Sequence, residues 1–127
     1  MLLAALGAAA QSPAPDLKGY QDALARGDYN AAAVALRPVA DSGNPEAQYR
    51  YGMLLADGLG VRPNDALAAS WLRRAADQDH AEAQYQLGLM YASGRGVPED
   101  RREAARLVTK AADAGYAPAK AFLRQLR

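Results

Sequence analysis

The sequence contains no cysteine, and this absence excludes thiol catalysis, thiolate metal sites and a disulfide framework. It has one histidine and only 7% aromatic residues. Neither sign of charge dominates, because 15 lysine and arginine residues stand against 14 acidic ones. A nucleic-acid binder would show a basic excess, so we expect no nucleic-acid partner. No stretch approaches the ~20 apolar residues of a membrane-spanning helix, so we expect no integral membrane segment in the mature chain.

Alanine is what the sequence has in abundance, and it recurs in runs such as residues 31–33 and 75–76. Alanine enters a helix at the lowest free-energy cost of any residue, so this composition favours helices. The chain has 127 residues, half of them hydrophobic. That length is typical of one domain and is long enough to bury a core without disulfide or metal staples.

The apolar run over residues 2–10 predicts an export signal. Residues 8–10 supply the small side chains of a cleavage site before Gln11. The first basic residue is Lys18, so the positively charged start of a signal is missing, which a translation start further upstream would explain. The alternative is a frayed, alanine-rich first helix. We expect residues 1–15 to be a signal-peptide remnant and linker, and the protein to be periplasmic or secreted, with a cytoplasmic location as the alternative.

The rest of the chain repeats itself with a period of 36 residues. Residues 45–52 align with 81–88, and residues 56–61 align with 92–97. A period in the 30s is typical of stacked helical hairpins. We therefore predict an all-α fold, a right-handed α-solenoid of antiparallel helix hairpins, with about seven helices after a short N-terminal segment. The predicted repeat domain, 16–127, comprises a degenerate unit 16–44, two full units 45–80 and 81–116, and a capping helix 117–127.

Each unit reads as a helix, a glycine turn and a second helix. Asn44, Asn64 and Asp100 stand where helices begin and are good N-caps. Gly58 and Gly94 stand where first helices end, since glycine tolerates the left-handed conformation found there. The pattern thus predicts helix boundaries as well as helices.

Two glycines and one proline lie inside predicted helices. Gly52 and Gly88 each cost a helix about 1 kcal/mol relative to alanine, so we expect a neighbouring helix to approach closely there. Arg124 stands at the matching position of the last helix, where its charge predicts the polar outer face of a terminal cap. Pro38 is expected to kink the predicted helix 29–41, because proline removes one backbone hydrogen bond.

The two full units share a glycine in the first helix, a Gly-x-Gly-Val turn and an Ala-Ala pair in the second helix. These residues are Gly52, Gly58-x-Gly60-Val61 and Ala75-Ala76, then Gly88, Gly94-x-Gly96-Val97 and Ala111-Ala112. The pattern resembles the Sel1-like repeat, a relative of the tetratricopeptide repeat. The first unit departs from it at Tyr51, Leu55 and Asp79. The resemblance implies an α-solenoid adaptor, often exported in bacteria, with partners in envelope assembly, exopolysaccharide control, motility or host contact.

The residues that could carry catalysis are scattered. His80 lies at the junction of two units, where a solvated or capping role is expected, since a general base needs a positioned partner. No serine sits on a strand–turn–helix elbow. We expect no enzyme activity, no cofactor, no metal and no catalytic residue. The alternative is a small hydrolase acting on cell-wall or β-lactam substrates, which has been proposed mainly for cysteine-rich repeats of this kind.

A binding surface is the preferred interpretation, because extended concave surfaces are what solenoids use for recognition. Six residues of the first helices lie off the predicted core face: Tyr49, Arg50, Met53, Tyr85, Gln86 and Leu89. We expect these to bind a partner protein or peptide, as in a non-catalytic scaffold or regulator of the bacterial envelope that is itself monomeric. Two alternatives stay open: Tyr49 and Tyr85 pack between units, or the protein is a cytosolic co-chaperone-like adaptor.

Overall fold

The computed structural model describes residues 15–125, and this part of the chain is all-α, with seven helices and no strand. Apart from Pro15, the predicted export segment lies outside the described residues. In the described part, no helix has the length and hydrophobicity needed to cross a membrane. The helices are α1 Lys18–Ala25, α2 Tyr29–Asp41, α3 Pro45–Asp57, α4 Asp65–Ala76, α5 Ala81–Ser93, α6 Arg101–Asp113 and α7 Ala117–Gln125.

The predicted N-caps are confirmed. Asn44 Oδ1 accepts a hydrogen bond from the Ala47 amide at 3.0 Å, and Asn64 Oδ1 accepts one from Leu67 at 2.9 Å. Asp100 accepts from two backbone amides at the start of α6. Each cap satisfies an amide that would otherwise have no partner in the first turn.

Glycines end the first helices as predicted. Gly58 and Gly94 adopt left-handed conformations, with φ of 67° and 72°. At the ends of second helices, Gly43 and Gly115 are also left-handed, and so is Asp79 with φ of 63°. The departure from the repeat at Asp79 therefore keeps the backbone conformation, although a side chain there carries strain that glycine avoids.

Helix α2 runs from Tyr29 to Asp41 with Pro38 inside it. The proline therefore does not end the helix, and the kink expected there stays a prediction. Each helix packs mainly against its neighbours in sequence. The core between them is built from alanine and from fully buried leucines, namely Leu36, Leu72, Leu87 and Leu107.

The close approach predicted at the helical glycines is confirmed. A Cβ placed on Gly52 would lie 3.0 Å from Leu72 Cγ, and one placed on Gly88 would lie 2.7 Å from Val108 Cγ2. In both units the carbonyl oxygen of an α4 or α6 alanine would lie 3.2 Å away. The two helices of each full unit therefore touch where glycine leaves no side chain.

The Gly-x-Gly-Val turns join consecutive units. A Cβ on Gly60 would collide with the carbonyl group of Tyr29, and one on Gly96 would collide with that of Asp65. Arg95 strengthens the second joint, since it donates to the Ala56 carbonyl at 2.8 Å and pairs with Asp65 at 3.0 Å. Each turn thus rests on the start of the second helix in the preceding unit.

Candidate partner-binding surface

The candidate surface consists of the six residues predicted to bind a partner. Three are on α3 (Tyr49, Arg50, Met53), and their counterparts 36 residues later are on α5 (Tyr85, Gln86, Leu89). Arg50 is exposed and the other five are half-buried. All six therefore remain accessible to a partner, and their role in binding stays a prediction.

Tyr49 packs against the N-cap of α5, which is the first helix of the second full unit. Its ring stacks on the imidazole of His80, with centroids 4.8 Å apart and an interplanar angle of 27°. Burial and the negative charge of Glu82 raise the pKa of Tyr49 to about 12. The hydroxyl therefore stays protonated and can donate a hydrogen bond at any physiological pH.

Tyr85 makes the corresponding contact further along the chain. Its ring centroid lies 5.5 Å from that of Tyr116 and 6.3 Å from that of Phe122, with the Tyr85 and Phe122 rings in an edge-to-face arrangement. Aromatic pairs at such distances are stabilising beyond the area that they bury. Both tyrosines thus pack between units while keeping part of their surface open, so packing and binding do not exclude each other.

His80 acts as a helix cap. Its Nδ1 accepts a hydrogen bond from the Ala83 amide at 3.2 Å, so the proton of the neutral ring is on Nε2. Nε2 lies 2.6 Å from Glu46 Oε2, and Arg50 Nε lies 2.7 Å from Glu46 Oε1. Burial opposes ionisation of Glu46, but hydrogen bonds from His80 and Arg50 outweigh it and lower the pKa of Glu46. The capping role expected for His80 is confirmed.

Two buried glutamines are the polar residues that sequence reasoning missed. Gln48 and Gln84 are each only 2% exposed. Their Nε2 groups donate at 3.2 Å to the carbonyl oxygens of Ala40 and Ala76, at the C-terminal ends of the preceding helices. The signal was their recurrence at the 36-residue period, but hydrophobic periodicity does not predict a buried amide, because glutamine is mostly exposed in proteins.

Three serines lie in the described part of the chain, and all three hydroxyl groups form hydrogen bonds. The hydroxyl groups of Ser42, Ser70 and Ser93 donate to carbonyl oxygens within their own helices or helix ends. Residues 15–125 contain no group of three or more histidine, aspartate or glutamate side chains that could hold a metal ion.

A polar node on the second helices ties the two full units together. Glu103 lies 3.2 Å from Arg73 Nη2, which also donates to the Tyr91 hydroxyl at 3.0 Å. Arg106 forms a second ion pair with Glu103. The hydrogen bond from Arg106 lowers the pKa of Glu103 by more than burial raises it, and the hydrogen bond from Arg73 lowers this pKa further.

The sequence profile described as Sel1 repeat matches residues 45–80 and 81–116, which is more than half of the chain. The chain belongs to the Sel1 repeat family. Proteins built from Sel1 repeats are generally protein-interaction scaffolds, and the family is typically non-catalytic. No functionally curated protein is significantly similar to the chain in sequence.

Solved structures of other proteins share the fold. A Sel1 repeat protein from Oxalobacter formigenes is 41% identical with a TM-score of 0.74, over 77% of this chain and 29% of that one. A protective antigen present in uropathogenic Escherichia coli strains is 32% identical, with a TM-score of 0.70. The match covers 72% of this chain and 20% of the antigen. Helicobacter pylori cysteine rich protein B is 19% identical, with a TM-score of 0.68, and the match covers 72% of this chain and 68% of that protein. At this identity the likeness shows the fold alone. The chain thus spans less than a third of the first two relatives.

Proposed function

We propose that this Sel1 repeat chain is a non-catalytic scaffold that captures an extended peptide or a helix of a partner protein on the candidate surface. The observation that carries the proposal is the recurrence of accessible side chains at matching positions of α3 and α5. Solenoids recognise partners along extended surfaces lined by equivalent helices of successive units. A partner lying across these helices would meet the same kind of contact in each unit.

The chemistry of the candidate surface suits protein recognition. Tyrosine and arginine are enriched among the residues that dominate binding energy at interfaces. Met53 adds an adaptable thioether that fits irregular partner surfaces. Because the rings of Tyr49 and Tyr85 are held by His80 and Tyr116, a partner would not have to order them on binding.

Site-specific photocrosslinking in the native cell tests this proposal. A photoreactive amino acid placed at Gln86 or Leu89 should give a discrete adduct with one partner protein. The same probe placed at the exposed Arg102 or Thr109 of α6 is the matched control and should give none. Equal adducts from both pairs of positions, or adducts from α6 only, would show that the surface is assigned to the wrong helices.

We further propose that the protein works in the bacterial cell envelope. The support is the sequence of residues 2–10, whose apolar run and small-residue end resemble a secretory signal. Fractionation of native cells should recover the chain in the periplasmic extract, with its mature N-terminus near Gln11. Recovery of the uncleaved chain in the cytosol would reject this location without affecting the proposed binding surface.

A further inference from the structure

Glu46 and Glu82 occupy matching positions in the first turns of α3 and α5, but only Glu46 has a cationic partner, Arg50, beside the hydrogen bond from the neutral His80 ring. Arg50 and His80 both bind its carboxylate. At the two matching positions of the next unit stand Gln86 and Tyr116, and neither is a cation. Within residues 15–125, no basic side chain forms an ion pair with Glu82.

Three half-buried tyrosines, Tyr49, Tyr85 and Tyr116, lie around the start of α5, where Glu82 stands. Tyr49 stacks on His80, the N-cap of α5, with ring centroids 4.8 Å apart. After burial, the negative charge of Glu82 contributes to raising the pKa of both Tyr49 and Tyr116. Tyr85 lies one turn further along α5, with its ring 5.5 Å from that of Tyr116. Glu82 is itself half-buried, so its carboxylate is partly desolvated beside these aromatic rings.

The positive end of the α5 dipole does not explain why Glu82 lacks a counter-ion. A carboxylate in the first turn of a helix gains from that dipole, and this holds for Glu46 on α3 as well as for Glu82 on α5. Glu46 nonetheless binds two basic side chains. The two units therefore differ in their basic partners and not in the position of the carboxylate.

We propose that Glu82, with Tyr49, Tyr85 and Tyr116, binds an arginine side chain of the partner peptide. The inference rests on the proposed function, and it names the chemistry that the candidate surface selects. The preceding unit shows which group fits, because there the guanidinium of Arg50 binds the matching carboxylate. A guanidinium forms directional hydrogen bonds with a carboxylate and is attracted to the faces of tyrosine rings.

Amide NMR titration of the protein with a short acetylated peptide containing one arginine between alanines tests the proposal. The same peptide with citrulline, which has nearly the shape of arginine without the charge, is the control ligand. The arginine peptide should shift the amide signals of Glu82, Tyr85 and Tyr116 saturably at low salt. Glu82→Gln should weaken this binding about tenfold, which corresponds to the loss of one charged contact.

Two further variants act as controls. One fills the proposed site with an arginine of the protein itself, and the other removes a negative charge away from the site. Gln86→Arg places a guanidinium four residues after Glu82, as Arg50 follows Glu46, so it should abolish peptide binding while circular dichroism stays unchanged. Glu99→Gln makes the same charge change beyond the opposite end of α5 and should leave binding unchanged. Equal binding of the citrulline peptide, or unchanged binding by Glu82→Gln, would overturn the arginine site.

The crosslinking experiment distinguishes failure of this site from failure of the proposed function. If the adduct at Leu89 forms equally well in the Glu82→Gln protein, the surface binds its partner without the arginine contact. If the adduct is lost only in that variant, the arginine contact is required. If no adduct forms from the candidate surface in either protein, the proposed function itself is wrong.

Discussion

Gly52 and Gly88 have no Cβ, and that missing atom sets how closely the two helices of each full unit approach. The alanine carbonyl oxygen facing each glycine belongs to the backbone of the second helix and cannot rotate away as a side chain can. Glycine inside a helix is unfavourable by about 1 kcal/mol relative to alanine. The close packing of α3 on α4 and of α5 on α6 offsets this.

Gly88→Ala is therefore expected to destabilise the protein, although alanine has a better helix propensity than glycine. The new methyl group would lie 2.7 Å from Val108 Cγ2 and 3.2 Å from the Ala104 carbonyl oxygen. Overpacking of this kind costs about 1–3 kcal/mol, measured as a lower free energy of unfolding in urea. Val108→Ala in the same chain should recover part of the loss. A Gly88→Ala protein at least as stable as the wild type would show that the helices separate freely.

At the scale of helices, side chains that reach back to an earlier element decide how the units dock. Gln48 and Gln84 bind the ends of the preceding second helices. Glu103 near the start of α6 binds Arg73 of α4, so the second helices of both units are joined by an ion pair. These contacts form between neighbouring units, so they cannot form within a single helical hairpin.

The Glu103 ion pairs predict a pH dependence of stability. Because Arg106 and Arg73 hold the folded-state pKa of Glu103 below its unfolded value of about 4.3, its contribution is complete above that pH. The contribution is lost as the pH falls through the folded-state pKa. Glu103→Gln should thus lower the free energy of unfolding at neutral pH. It should also make the urea midpoint of unfolding depend less on pH in the acid range, which urea denaturation at several pH values would measure. If the two proteins lose stability in parallel from neutral pH downward, the pairs contribute nothing.

At the scale of the whole molecule, stability depends on contacts between successive units. Each helix packs mainly on its sequence neighbours, and the Gly-x-Gly-Val turns form the joints. A stack of this kind is stabilised approximately by the sum of its units and their nearest-neighbour interfaces. One joint can therefore be weakened while the remaining units stay folded.

Gly60→Ala is expected to release α1 and α2 from the rest of the chain. The added methyl group would collide with the Tyr29 backbone, and the left-handed conformation of Gly60, with φ of 77°, is unfavourable for alanine. Amide hydrogen exchange should show lost protection in α1 and α2, with α5 and α6 retained. The control, Gly115→Ala, has the same kind of backbone strain but no nearby atom, and should affect mainly α7. Uniform loss of protection in Gly60→Ala would mean that the stack unfolds as one unit.

The sequence by itself determined the helical hairpins, their 36-residue period and most of their ends. Helix caps such as Asn64 and turn residues such as Gly94 act on backbone groups only a few residues away. Their effect can therefore be predicted from the neighbouring residues in the sequence. Gly52 and Gly88 likewise predicted that a neighbouring helix approaches closely, because glycine inside a helix is unfavourable unless packing compensates for it. The Sel1 repeat family assignment follows from the same spacing.

Only the tertiary structure decided which polar groups meet across units. The Glu46–His80 contact joins residues 34 positions apart, the Arg73–Glu103 contact joins residues 30 positions apart, and the buried Gln48 amide reaches the end of the preceding helix. A repeat alignment shows that such residues recur, but it does not show which atoms they reach. Those distances are set by how one hairpin rotates against the next, and this rotation depends on packing of whole helices.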